Sequence, residues 1–408
     1  MKKLFLFLLQ VAVVPALAQD MQLTVKAGKY ERHNTLVTYH PEKQLPAGKV
    51  WQLEEIKGSI RVPVAVQQDA AGNCIWMMEG HMAAGAERTY HLYAGPFVNS
   101  AALQALVSDS AILLEEGKTR VLQYNTAVVS PPAGSDTVYK RSGFIHPLWA
   151  PNGVVLTNIF PNAGHRHHMG IWNPWTHTMF EGKETDFWNV QKKEGKLRYG
   201  GLVAVAGGNV YCGFKVKQEH VAFPEQGREK IAIAEVMSVR AYRAYLGGSR
   251  RIWDMESEFE CPGDSGILLM QYRYGGGFGL RTTPYFTDKT SKVLTSEGKT
   301  RKDADSTRAR WVMITGDAPQ GRAGLLIMSS GENYDSPEAL RVWPENMEGG
   351  ELMLNYSPTK IKSWRWIHGN VYTLKYRILV YSGDLSVSEA ELAWLDYAYP
   401  PEVIVSSR

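Results

Sequence analysis

The chain has 408 residues, with 45 Lys and Arg against 41 Asp and Glu and a formal charge of +4. A near-balanced charge with no basic tract excludes nucleic acid as the expected partner. Three cysteines allow at most one disulfide, and their spacing fits no zinc motif.

Lys2 and Lys3 precede an apolar run, and Ala16-Leu17-Ala18 supplies a small-x-small cleavage signal. Residues 1–18 therefore read as a removed secretory leader, and the expected location is periplasmic or secreted. The run is too short to span a bilayer and no later segment is long and apolar enough, so no membrane insertion is expected. After the leader, period-two runs of β-branched and aromatic residues recur. Examples are Leu23-Thr24-Val25-Lys26, Ile60-Arg61-Val62-Pro63-Val64, Arg88-Thr89-Tyr90-His91-Leu92-Tyr93 and Val210-Tyr211-Cys212-Gly213-Phe214. Turn signals such as Ala71-Gly72-Asn73 and Gly207-Gly208-Asn209 separate them. Many strands with short turns and no alternation of strand with helix predict an all-β protein, a large antiparallel β-sandwich.

Residues 19–118 read as a small N-terminal β module, 119–398 as the sandwich that carries the site, and 399–408 as a tail. Residues 101–106 and 111–116 read as short helical or irregular pieces. One short C-terminal helix is expected: Ser386 and Glu389 have capping-box spacing, apolar residues follow, and Pro400-Pro401 ends the run. The cysteines Cys74, Cys212 and Cys261 read as buried small hydrophobes, with a Cys212–Cys261 bridge left open.

The densest chemistry lies at His165-Arg166-His167-His168, which holds three of the eleven histidines. Pro161-Asn162-Ala163-Gly164 and Gly170 flank it, so it reads as a loop. Three readings stay open for it: a metal site, acid/base catalysis by one imidazole, or loop histidines satisfied by backbone carbonyls. Trp172, Trp175, His177 and Trp188 follow closely and are candidate substrate-binding residues, together with Arg166. Asp186, between apolar neighbours, could be drawn inward beside the histidines as a base or as the group that holds a tautomer. Further on, Glu297 in Ser296-Glu297-Gly298-Lys299 is a candidate catalytic carboxylate. Arg281 and Arg310 are candidates for neutralising negative charge on a substrate. The segment Tyr272-Arg273-Tyr274-Gly275-Gly276-Gly277 lacks the strand-then-helix setting of a phosphate loop. Arg341-Val342-Trp343-Pro344 is a candidate for closing one side of a cleft.

Five blocks occur in a fixed order: Gly164-His165-Arg166-His167-His168-Met169-Gly170, Asp186-Phe187-Trp188, Ser296-Glu297-Gly298-Lys299, Thr307-Arg308-Ala309-Arg310-Trp311 and Tyr376-Arg377-Ile378-Leu379-Val380. The set resembles a family of exported bacterial proteins often labelled methane oxygenase PmoA and common in polysaccharide-degrading bacteria. The resemblance covers roughly residues 120–398. It departs at the first block, where the family's pattern is His-Pro-His-His-Arg-Gly; here Arg166 stands for the proline and Met169 for the arginine. The family in turn is similar to mutarotase-type supersandwiches, which implies a sugar-binding sheet face with histidines and a carboxylate acting on the sugar.

These readings lead to an expected exported carbohydrate-active enzyme of hydrolase, lyase or epimerase type. His165, His167, His168, Glu297 and Asp186 would be its catalytic residues, and an oligosaccharide or sugar-derived small molecule its partner. A non-catalytic glycan-binding protein and a metal-dependent oxidative enzyme are the alternatives. The sequence requires no cofactor, leaves room for a divalent metal, and does not set the oligomeric state.

Overall fold

The computed structural model describes residues 20–46, 49–96, 102–162, 164–225 and 228–405. The expected leader lies outside the described residues. Among the described residues the fold is all-β, as the alternating runs predict, with one short C-terminal helix.

Two eight-stranded antiparallel sheets make the sandwich. The first runs, in spatial order, through Gly195–Ala206, Tyr211–Ala222, Lys230–Tyr242, Arg250–Glu260, Tyr372–Ser382, Gly321–Ser329, Trp311–Ala318 and Ser291–Thr295. The second runs through Ala339–Val342, Met353–Ser357, Phe278–Arg281, Ile171–Trp172, Phe144–Leu148, Thr119–Asn125, Ala111–Glu116 and Leu103–Val107. Their inner faces share one apolar core, to which Val216, Met237 and Met255 contribute from one sheet and Ile145, Ile171, Leu280 and Leu354 from the other. Period-two geometry fixes what the second sheet turns outward. Phe144, Trp172, Trp343 and Met353, each next in sequence to an inner residue, form a separate apolar cluster with Met169, Trp188 and Tyr274. That cluster is the floor of the candidate site.

Leu103–Val107 and Ala111–Glu116 are strands, which corrects the helical or irregular reading of 101–106 and 111–116. Ala, Leu and Glu favour helices weakly, and pairing with Thr119–Asn125 overrides that preference. Both strands sit in the second large sheet, so the change of sheet falls between Gly95 and Leu103 and not at 118. Residues N-terminal to it form a five-stranded and a three-stranded sheet around a core of their own, with Leu23, Val37, Trp51, Trp76 and Leu92. The segment read as a tail supplies the strand Glu402–Val405, which pairs with Met21–Lys26.

The helix is Val387–Ala398, with the capping box of Ser386 and Glu389 formed as expected. It packs on the outer face of the first large sheet through Ala390 and Trp394, beside Trp311, Leu379 and Tyr381. Its buried Asp396 reaches the three-stranded sheet, accepting from Arg32 at 2.9 Å and Thr35 at 2.7 Å. All three cysteines are free and buried, so Cys212 and Cys261 are not bridged. Burial pushes the Cys212 thiol up to about 12, as fits a small core residue and not a nucleophile.

Candidate functional site

The histidine loop lies on the outward face of the second large sheet, against the cluster of Trp172, Trp188 and Trp343. It is held in a strained turn: Phe160 and His165 both have positive φ, 47° and 43°, and His168 N–H donates to His165 O at 2.9 Å. Non-glycine residues in this region persist only where their surroundings enforce them, and they concentrate at functional sites. A second strained stretch faces it, with Asn346 at φ 65° and Glu348 at φ 47°. The two stretches touch. His165 Nδ1 lies 3.1 Å from Glu348 Oε1. Gly164 permits this approach, because a Cβ there would fall 2.2 Å from the Glu348 carboxylate.

The three imidazoles have different surroundings. His168 is fully buried among Trp172, Trp188 and Trp343, with ring centroids 5.3–5.4 Å away. Its Nδ1 lies 3.5 Å from an Arg281 guanidinium nitrogen. A guanidinium only donates, so Nδ1 accepts and the proton sits on Nε2, which is buried without a partner. His167 is buried against Trp188, with its ring 4.8 Å from that of His168. Burial, then the cation of Arg141, drives it down to about 3. His165 is half-exposed. Burial lowers it from its ordinary value, Glu348 opposes the shift and Arg281 adds to it. All three are therefore neutral at neutral pH. Among the described residues, no three ligand atoms drawn from these imidazoles and the nearby carboxylates lie within 4.8 Å of one another, so the loop does not form a three-ligand metal set.

A recess of about 80 Å³ opens between the three histidines and the side chains of Trp188, Asn189, Tyr272, Arg273 and Tyr274. Tyr274 is fixed at its base, accepting from Trp343 Nε1 at 3.2 Å and Arg341 at 3.3 Å. Arg273 is exposed, its guanidinium 5.3 Å from the Tyr274 ring centroid, and among the described residues it makes no ion pair. Ligand pockets commonly measure about 300–1,000 Å³, so this recess admits only the reacting edge of a small molecule.

Residues 80–395 match a family described as a family of unknown function, DUF6807. The chain belongs to that family. Among curated proteins nothing matches. The DUF6807 match spans both large sheets, most of the helix and every residue lining the recess.

Several residues expected at one site are elsewhere in this DUF6807 protein. Glu297 and Arg310 lie on the opposite side of the sandwich, beside the helix. Arg310 donates to Glu391 at 2.6 Å and covers the Trp394 ring at 4.5 Å. Glu297 is exposed and receives a bond from Ser296 at 3.1 Å. Trp175 is in the sandwich core against Phe259 and Trp366, with Gly276 pressed on its ring. Trp172 is 1% exposed, so it serves the floor of the site and offers no stacking face. His177 is a half-exposed partner of Glu184 at 2.8 Å, outside the recess lining. Arg166 donates to Ser135 at 2.6 Å and also lies outside the lining.

Asp186 is drawn inward, but its oxygens are already engaged. Oδ1 accepts from the backbone of Trp188 and Asn189 at 2.9 and 2.8 Å. Oδ2 accepts from Thr176 at 2.7 Å and Asn189 Nδ2 at 2.7 Å, with Lys192 Nζ at 3.0 Å. Burial alone would raise this carboxyl; the hydrogen bonds outweigh burial and hold it below its ordinary value. Asp186 thus anchors the loop that presents Trp188. Arg281 is fully buried, ion-paired to Glu351 and stacked 4.5 Å over Trp343, so it positions His168 and does not face solvent. The sequence reading missed Glu348, Glu351 and Arg141. The run Asn346-Met347-Glu348-Gly349-Gly350 carried a signal: asparagine and paired glycines mark left-handed backbone.

Proposed function

We propose that this protein is an exported enzyme that abstracts a proton next to the carboxylate or carbonyl of a sugar-derived acid, as a lyase or an epimerase. One observation carries this reading. His165, neutral and oriented by Glu348, shares the recess with Tyr272 and an exposed Arg273. With Nδ1, 3.1 Å from Glu348, carrying the ring proton, Nε2 would be the base. Arg273 would neutralise the substrate carboxylate, which makes the adjacent C–H bond acidic. In elimination, His165 takes that proton, its electron pair forms the new C=C bond, and the β C–O bond breaks. The departing oxygen takes a proton from the Tyr272 hydroxyl. In epimerisation, Tyr272 returns a proton to the opposite face of the same carbon.

Hydrolysis by paired carboxylates is disfavoured, because Asp186 is saturated with donors and Glu297 is remote. A pure binding role loses its main support with the burial of Trp172, Trp175 and Trp188. The resemblance to mutarotase-type folds supports a sugar substrate by analogy of fold.

The test is deuterium exchange from heavy water into uronate-containing oligosaccharides and monosaccharide acids, read by nuclear magnetic resonance. Ultraviolet absorbance of the unsaturated elimination product is read in parallel. Exchange or elimination that falls about 100-fold or more in His165→Ala is the expected result. Neither reaction on any acidic sugar, or full activity in His165→Ala, overturns the proposal.

A further inference from the structure

Away from the recess, on the three-stranded sheet, the structure brings a second set of imidazoles together. His33 on Arg32–Tyr39 and His81 on Cys74–Met82 are direct cross-strand partners. Their rings are 4.6 Å apart and inclined by 50°. Glu31 completes the group, with Oε2 3.2 Å from His81 Nε2 and 3.8 Å from His33 Nε2. One donor atom from each of the three residues lies within 4.8 Å of the others. We propose that Glu31, His33 and His81 bind a divalent transition ion of the zinc class.

The geometry supports this on three counts. Bonds of about 2.1 Å in a tetrahedron place ligand atoms about 3.4 Å apart, and both carboxylate–imidazole separations bracket that value. All three side chains are exposed, so small rotamer changes close the remaining gap without disturbing a core. Two imidazoles with one carboxylate select zinc, copper or nickel over magnesium or calcium, which prefer all-oxygen sets. The backbone is also shaped here. The strand pairing shifts register between His33 and Thr35, where Asn34 takes φ 52° and accepts from Gly80 N–H at 2.9 Å. A bulge of this kind re-aims the flanking side chains, and here both histidines project on the same side.

Three protein ligands leave at least one coordination position for water or an incoming group. Glu31 and His33 also line a cavity of about 300 Å³ between the small sheet, the helix and the first large sheet. These two ligands therefore sit at the rim of a space large enough for a small molecule. Only His81 falls within the family match, so this set is a property of this chain's N-terminal sheets.

The test is calorimetric titration of Zn²⁺ into untagged protein at neutral pH, with the visible spectrum of Co²⁺ as a second readout of nitrogen ligation. One equivalent is expected to bind, more than about tenfold weaker in His81→Ala and in His33→Ala and unchanged in His165→Ala. Circular dichroism of each variant confirms that these surface changes leave the fold intact. No binding, equal binding in the His33 and His81 variants, or loss in His165→Ala alone would overturn the proposal.

Discussion

At the scale of single residues, the site depends on which proton each imidazole carries. Glu348 raises His165 against the lowering effect of burial, so its removal acts on catalysis in two ways. Glu348→Gln leaves the ring poorly oriented and lets its pKa fall further. We expect a loss of about 100-fold in turnover on the substrate identified for the enzyme, with the acid limb of the pH–rate profile moved to lower pH. A merely structural Glu348 would lower activity without moving that limb. His165 was legible from sequence as part of a dense loop. Glu348 was not, because nothing in a linear string shows that two left-handed turns, 183 residues apart, will meet.

At the scale of elements, the loop around Asp186 presents Trp188 to the histidines. The inward placement of Asp186 could be read from its apolar neighbours, Thr185 aside; its saturation could not, since the donors come from Thr176, Asn189 and Lys192 as well as the backbone. Asp186→Ala leaves these buried donors without an acceptor and is expected to cost about 3 kcal/mol in urea unfolding. If the variant instead keeps full stability while losing activity, Asp186 is a catalytic group and not an anchor. The strands and the capped helix followed from period-two runs and from Ser386 with Glu389. What misled was local composition: Ala and Leu at 101–116 look helical, and indoles beside histidines look like ligand platforms. Both are decided by which sheet face a residue lands on. Trp172, on its strand, joins the outer cluster, while Trp175, in the coil that follows, enters the sandwich core, and each is covered by packing.

At the scale of the whole molecule, buried neutral histidines make the fold sensitive to acid. Burial lowers His146 to about 4 and His167, with help from Arg141, to about 3; His168 falls well below its ordinary value. For such groups the unfolded chain binds protons first, near pH 6.5, while the folded protein still excludes them. Stability is therefore whole above that value and falls as the pH drops below it, by up to about 1.4 kcal/mol per pH unit for each histidine. Urea midpoints measured from neutrality down to about pH 4 should fall steeply over this window; a flat profile would contradict the burial of these rings. A second consequence concerns time. Leu23 pairs with Val405, and Val25 with Val403, so the five-stranded sheet lacks an edge until the residues at 402–405 have been synthesised. Until then Met21–Lys26 offers an unpaired strand edge to any neighbouring chain. Stopping the chain after Tyr399 should leave the sandwich strands formed but make the product aggregate and yield to proteases within the N-terminal sheets, as limited digestion would show. The clasp of these two distant segments thus works as a completion signal: it replaces the six-residue edge Met21–Lys26 with the four-residue edge Glu402–Val405, a shorter template for a neighbouring copy.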